Sequence, residues 1–287
     1  MRTTRFTHPA AVDAWDQWFR WRELDCLHDR TIDVTWKRVA EAIAPPDDTR
    51  SSWVRRYLDA FSRWQVIPDE RLLAGAGAST AMPDLQAPCA LLNIGAYIIA
   101  PGTPQARLDE DRFVDTAALA VRLLDDAMLA AGARVASSNR LRIGLLGFAD
   151  ALDQLGMDYL DPGAPAFAAR LGALLDHGTL RGMAELVRER GGQPLAPPHL
   201  QRLRARGSER DLVHRLEREG ARHIALTAIE SHPKLALLAN GASDALAPRS
   251  GDDADVITAS AVTAMQQRIH AAIAPWIDQP LHATTEG

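Results

Sequence analysis

Cysteine and lysine are scarce in this sequence. Of its 287 residues only Cys26 and Cys89 are cysteines, which excludes a disulfide-stapled scaffold and fits a reducing compartment. Lysine occurs only at Lys37 and Lys234, so arginine supplies nearly all of the positive charge. The net charge is −5, and this balance gives no general electrostatic reason to expect nucleic acid or an anionic membrane as a partner.

Long apolar runs are also missing. No run approaches the roughly 18 residues that a membrane span requires, and the first residues lack the apolar centre of a signal peptide. With 47% hydrophobic and 24% charged residues, the composition is that of an ordinary globular protein. We therefore expect a cytoplasmic protein that forms a single domain over residues 1–287, with an N-terminal helical part at 1–67.

Apolar residues recur at helical spacing over much of the chain. The spacing predicts helices over 163–191 that are broken or bent near Gly178, and further helices over 10–26, 31–44, 51–66, 112–132 and 258–274. Residues 68–90 are rich in glycine, alanine and proline and predict a loop with at most one short strand. Residues 89–100 predict a buried strand, and residues 251–255 predict a linker. The expected fold class is helix-rich α+β.

A polar corner separates two apolar runs within residues 223–248. An apolar strand, a polar corner and a following helix are typical of a loop that holds an anion. We expect the corner to contact a small anionic ligand through Glu230, Ser231, His232 and Lys234. Two alternatives stay open, namely a metal held by Glu230 and His232, and a corner in which Ser231 only caps the following helix.

Cys89 begins the predicted strand and is a candidate catalytic thiol facing a cavity. The alternative is a small core residue, since free cysteine is commonly buried. Asn93 and Gly95 are candidates for lining the same cavity. The nine histidines show no spacing typical of a metal site, so no metal is expected. Residues 75–79 lack the spacing of a dinucleotide-binding fingerprint, and no cofactor is evident.

Several segments resemble, in order, the large subunit of ribonucleotide reductases, in particular the adenosylcobalamin-dependent class. The most specific match is NRLRIGLLGFADALDQLGMDY at 139–159, which is similar to that family's Arg-Ile-Gly-Leu and Gly-Phe-Ala-Asp segment. CALLNIGAYII at 89–99 resembles its Cys-Asn-Leu-Gly-Ser strand, and residues 222–248 resemble its strand, substrate-phosphate loop and following helix. The other similar segments are 57–79, 112–132 and 258–280.

The resemblance implies a partial α/β barrel, a remnant of the family's ten-stranded barrel, formed by residues 68–287. The chain also departs from the family, because the family's radical-cysteine loop and Asn-Pro-Cys-Gly-Glu motif have no counterpart between Gly77 and Cys89. Cys89 corresponds by position to one member of the redox pair, whereas Cys26 falls in a predicted helix upstream. Reduction needs a radical thiol and a pair of reducing thiols, so we do not expect this chain alone to reduce ribonucleotides.

The function that the resemblance implies is binding of a nucleotide or related small anion in a degenerate active site, as an accessory or regulatory protein. Two other functions stay open. One is a repurposed enzyme of specialised metabolism that uses Cys89 and the corner at 230–234, and the other is a structural remnant that binds nothing. Part of a barrel would leave strand edges exposed, so we expect a homo-oligomer or a protein partner, and neither nucleic acid nor membrane.

Overall fold

The computed structural model describes residues 3–24, 26–79, 82–133, 139–249 and 256–279, and the predicted linker at 251–255 lies outside these ranges. The helices are α1 (Pro9–Trp18), α2 (Ile32–Ile43), α3 (Arg50–Ser62), α4 (Glu70–Gly75), α5 (Glu110–Ala130), α6 (Phe148–Gln154), α7 (Ala164–Arg190), α8 (Pro197–Ala205), α9 (Arg210–Glu219), α10 (Pro233–Leu238) and α11 (Val256–Ile273). The strands are β1 (Arg22–Glu23), β2 (Cys26–Leu27), β3 (Val66–Pro68), β4 (Cys89–Asn93), β5 (Ile98–Ile99), β6 (Arg107–Leu108), β7 (Arg140–Leu146) and β8 (Ala225–Thr227). The fold is helix-rich α+β, as predicted.

The central sheet has four strands in the order β3, β4, β7, β8. Strands β4, β7 and β8 are parallel, and β3 runs antiparallel to β4 at one edge. The register of β4 on β7 runs from Cys89 opposite Arg142 to Asn93 opposite Leu146. Within the described residues the sheet is open and no barrel closes.

One cluster of buried side chains extends through the described chain, from Trp15 in α1 to Ile277 after α11. Its largest fully buried members include Trp36, Tyr57 and Phe113. None of the helices in these ranges is long and apolar enough to cross a membrane.

Helices α5 and α7 pack against each other and against the sheet. The predicted break at Gly178 is wrong, because α7 is continuous over 27 residues. A Cβ at Gly178 would lie 2.7 Å from the Cβ of Ala117, and one at Gly182 would lie 2.6 Å from the carbonyl oxygen of Ala118. The glycines therefore let α7 lie directly on the backbone of α5.

The first predicted helix is shorter than the sequence indicates. α1 ends at Trp18, and the chain then forms the β1–β2 hairpin, so Cys26 lies in an exposed strand and not in a helix. The cause is the fully buried Asp29, which accepts the N–H of Trp21 at 3.1 Å and pairs with Arg38 at 2.9 Å. Pairing this carboxylate in the core outweighs the local helical spacing, because an unpaired buried charge is costly.

The loop predicted for residues 68–90 is also partly wrong, since it contains α4. The side chain of Asp69 accepts the N–H of Arg71 at 2.9 Å, which satisfies a donor in the first turn. Leu72 and Leu73 are fully buried. An N-terminal cap and a buried face thus stabilise a short helix despite the surrounding glycine and proline.

The outer edge of β8 is covered by two residues that follow α11. Asp278 Oδ2 accepts the N–H of Leu226 at 2.7 Å and of Thr227 at 3.3 Å. The backbone N–H of Gln279 donates to the carbonyl oxygen of Thr227 at 3.2 Å. The side-chain amide of Gln279 donates to the carbonyl oxygen of Leu141 at 2.9 Å. These bonds occupy backbone groups that an additional strand would otherwise use.

Candidate functional site

The polar corner between β8 and α10 folds back over the face of β7. Gly144 permits this approach, because a Cβ there would lie 2.8 Å from the carbonyl oxygen of Ala228. Glu230 thereby reaches Arg142 in the middle of β7, with Oε2 2.7 Å from Nη1. His232 lies beside the same carboxylate, with its Nε2 3.7 Å from Oε2. The Glu230 carboxylate therefore lies between the guanidinium group of Arg142 and the imidazole of His232.

The hydrogen-bond donors of the corner already hold a carboxylate of the same chain. Ser231 Oγ donates to Asp244 Oδ2 at 2.5 Å, and the backbone N–H of His232 donates to Asp244 Oδ1 at 2.8 Å. No side chain caps the start of α10, so the hydroxyl of Ser231 holds Asp244 and does not cap the helix. The corner thus binds an anionic group, and that group is internal.

His232 is largely buried, with 13% of its side chain exposed. Burial lowers the pKa of His232, and the charge of Arg142 acts in the same direction, whereas the carboxylates of Glu230 and Asp244 oppose the shift. The imidazole is therefore neutral at pH 7. Positive charge at the corner comes from Arg142 and not from His232.

Lys234 contacts residues other than those around Arg142. Its Nζ lies 3.8 Å from Glu70 Oε2, with 51% of its side chain exposed, and 5.5 Å from the ring centroid of Trp18. An exposed pair of this kind contributes little to stability. Among the described residues Lys234 forms no ion pair with Glu230 or Asp244.

Cys89 lies directly opposite Arg142 in the register of β4 and β7. It is buried, with 3% exposure, and its N–H donates to Asp69 Oδ2 at 2.9 Å. Burial raises the pKa of Cys89 well above its usual range, and the neighbouring Asp69 raises it further. The thiol is therefore protonated at neutral pH, and its catalytic role stays a prediction.

Asn93 and Gly95 lie at the other, carboxyl end of β4. A Cβ at Gly147, whose φ is +74°, would lie 2.7 Å from Asn93 Oδ1. A Cβ at Gly95 would lie 3.1 Å from Gln154 Nε2. Both predicted residues therefore pack against the turn between β7 and α6 and its helix, several residues along the strand from Cys89.

The loop at 240–245 connects this turn to the corner. The carbonyl oxygen of Ser243 accepts the N–H of Gly147 at 2.8 Å, and the N–H of Ser243 donates to Asp150 Oδ2 at 2.6 Å. The next residue, Asp244, is the carboxylate held by the corner. The loop thus covers the carboxyl ends of the parallel strands, where ligands bind in many open α/β sheets.

A metal ion bound by Glu230 and His232 would have no third protein ligand among the described residues. Within the described ranges no group of three or more histidine, cysteine, aspartate or glutamate side chains could hold a metal ion. The carboxylate of Glu230 is also paired with Arg142. These two donors alone are fewer than structural or catalytic metal sites supply.

Arg142, Asp69 and Asp244 organise the corner and its surroundings, and none of them is among the residues predicted from the sequence. Arg142 is recognisable as a charged residue between the apolar residues Leu141 and Ile143 of β7. Asp244 lies 13 residues beyond Ser231, within a run of small residues, and no local pattern links the two. Asp69 is recognisable as a helix cap only once α4 is known.

The chain is similar to vitamin B12-dependent ribonucleoside-diphosphate reductases. Those of Mycobacterium tuberculosis strains CDC 1551 / Oshkosh and ATCC 25618 / H37Rv are each 26% identical to it over 145 residues. The match covers 48% of this chain and 21% or 20% of the reductases, so the chain spans about a fifth of the length of these relatives. No protein-family model matches the sequence. The similarity supports a ribonucleotide-reductase-like relationship, as the sequence motifs predicted.

Proposed function

We propose that this chain is a ribonucleotide-reductase-like protein that binds a nucleotide or related small anion at the corner of residues 230–234. Its role in this proposal is accessory or regulatory. The observation that carries the proposal is Asp244, whose carboxylate is held by the Ser231 hydroxyl at 2.5 Å and the His232 N–H at 2.8 Å. A phosphate oxygen requires donors of the same kind, so the ligand binds by replacing this carboxylate.

The proposal has a consequence for affinity. Asp244 is tethered beside the donors that it occupies, so it competes with any free anion at a high effective concentration. Arg142 supplies the positive charge next to the corner, and Glu230 already neutralises part of it. Binding to the unmodified protein is therefore weak, and removal of the Asp244 carboxylate strengthens it.

Ribonucleotide reduction by this chain alone is not part of the proposal. The two cysteines of the sequence are the exposed Cys26 in β2 and the buried Cys89 in β4. Reduction requires a radical thiol as well as a pair of reducing thiols. The raised pKa of Cys89 also argues against the alternative of a repurposed enzyme with this residue as nucleophile.

Isothermal titration calorimetry with ADP, CDP and inorganic phosphate tests the proposal. We expect Asp244→Ala to bind ADP or CDP at least about tenfold more tightly than the unmodified protein, because one competing charge-assisted interaction is lost. Adding Ser231→Ala in the same chain should remove that gain. Asp48→Ala, at an exposed aspartate between α2 and α3, is the control for the change in net charge and should leave binding unaltered.

A second candidate function is a structural protein in which the corner binds no ligand. The observation that favours it is that Asp244 already satisfies the corner's donors. In that case Asp244→Ala lowers the unfolding temperature, and none of the three anions restores it. Absence of binding to both the unmodified protein and Asp244→Ala would rule out the first candidate and leave the second.

A further inference from the structure

A basic groove of about 620 Å³ lies at the opposite end of α10 from the corner. Its walls are the segment before α1, the turn after α3, the short helix after β4, the first turn of α5 and the turn after α10. Arg5, Arg63 and Arg112 line it, and among the described residues that line it none is acidic. In a chain with a net charge of −5, such a concentration of positive charge attracts anions.

Two of the three arginines form no ion pair with a described residue. Arg63 pairs with Asp59, with Nε 2.8 Å from Oδ1, whereas Arg5 and Arg112 have no such partner within the described ranges. Arg112 also lies in the first turn of α5, where the helix dipole disfavours a positive charge. Neither guanidinium group is therefore neutralised by a carboxylate of the described residues.

The groove is held in shape by contacts that do not involve its guanidinium groups. The indole N–H of Trp64 donates to the carbonyl oxygen of Arg5 at 3.1 Å. The N–H of Thr7 donates to Asn240 Oδ1 at 2.7 Å. Trp64 has a φ of 57° and ends α3 in the left-handed conformation of a C-terminal cap, with the N–H of Gln65 donating to the carbonyl oxygen of Ala60 at 3.0 Å. The N-terminal segment is thus fixed across the groove before any ligand binds, which lowers the entropic cost of binding.

We propose that this groove binds a phosphorylated small molecule. Arg5 and Arg112, which line the groove, contact the phosphate group. Guanidinium groups suit phosphate because they donate two parallel hydrogen bonds, and the volume falls within the range of small-molecule sites. This site is separate from the corner at 230–234 and does not depend on the function proposed there.

Calorimetry at low ionic strength with ribose 5-phosphate, AMP and inorganic phosphate tests the proposal, with ribose and adenosine as unphosphorylated controls. We expect the phosphorylated compounds to bind and the controls not to bind. Arg5→Gln and Arg112→Gln should each weaken binding about tenfold or more, while Arg188→Gln, at an exposed position of α7, should not. Inorganic phosphate binding as tightly as ribose 5-phosphate would identify free phosphate as the ligand, and weaker binding would identify an organic phosphate.

The unfolding temperatures of Arg5→Gln and Arg112→Gln distinguish ligand binding from a structural role. In the free proteins they should equal that of the unmodified protein, whereas the increase caused by ligand should be lost. Both substitutions should weaken binding to the same extent when Ser231→Ala is also present, because that change removes a donor of the corner, and this separates the test from that of the corner. The proposal fails if no phosphate compound binds, or if binding survives both Arg5→Gln and Arg112→Gln at full strength.

Discussion

Arg142 and Glu230 join the middle of the central sheet to a corner 88 residues further along the chain, with Nη1 2.7 Å from Oε2. Their side chains are 30% and 19% exposed, so the pair is only partly screened by water. Arg142 is fixed from its other side as well, because its Nε donates to the carbonyl oxygen of Ala87 at 2.8 Å. The position of the corner over β7 therefore depends on this ion pair.

Glu230→Gln should lower the free energy of unfolding by about 1–3 kcal/mol, because it leaves the half-buried guanidinium of Arg142 without its counter-charge. Urea denaturation measures the change. The double variant Glu230→Gln/Arg142→Met should lose less free energy of unfolding than the two single variants lose together. A loss below about 0.5 kcal/mol for Glu230→Gln would show that the pair behaves as an exposed one.

Because of Asp176 in α7, the protein should become less stable as pH rises from about 4 to 6. Burial raises the pKa of Asp176 to about 6, although Arg206 and Ser208 oppose the shift. The unfolded value is about 3.9, so in this window the folded state binds more protons than the unfolded state, and raising the pH favours unfolding.

Asp176→Asn should remove this pH dependence. A pKa difference of this size changes the free energy of unfolding by ~3 kcal/mol between about pH 4 and pH 6. Urea unfolding of both proteins at several pH values between 4 and 7 measures it. The stability of the unmodified protein should fall relative to that of the variant as pH rises. Parallel stability curves would contradict the prediction.

Asp278→Ala should release the edge of β8. The substitution leaves the N–H groups of Leu226 and Thr227 without their acceptor, at an expected cost of about 1–3 kcal/mol, and a free strand edge promotes association. Size-exclusion chromatography with light scattering over a range of concentrations should show more self-association than in the unmodified protein. The same runs on the unmodified protein test the prediction that it is a homo-oligomer, which a stable monomer at every concentration would contradict.

Helices and strands with a regular apolar pattern could be predicted from the sequence. The spacing located α2, α3, α5 and α11, and the apolar run from residue 89 located β4. The errors lie where a contact distant along the chain decides the conformation. The buried pair of Asp29 and Arg38 ends the first helical region early, and α7 continues unbroken through Gly178, where it contacts α5.

The candidate site was predictable in part for the same reason. Polar residues between two apolar runs located the corner, but its occupant, Asp244, comes from a loop that only the fold places there. The charge of the corner comes from Arg142, a residue of another strand. The basic groove collects Arg5, Arg63 and Arg112 from three separate segments, and no local spacing relates such residues.

The cover of Asp278 and Gln279 on β8 restricts how another protein could dock on the sheet. A strand of another protein could pair with β8 only after the hydrogen bonds of Asp278 and Gln279 to the backbone of β8 are broken. At the opposite edge, β3 ends in Pro68, which lacks an N–H and is a poor template for strand addition. Docking of a partner on this protein is therefore expected through side chains on helices and loops, and not through extension of the sheet.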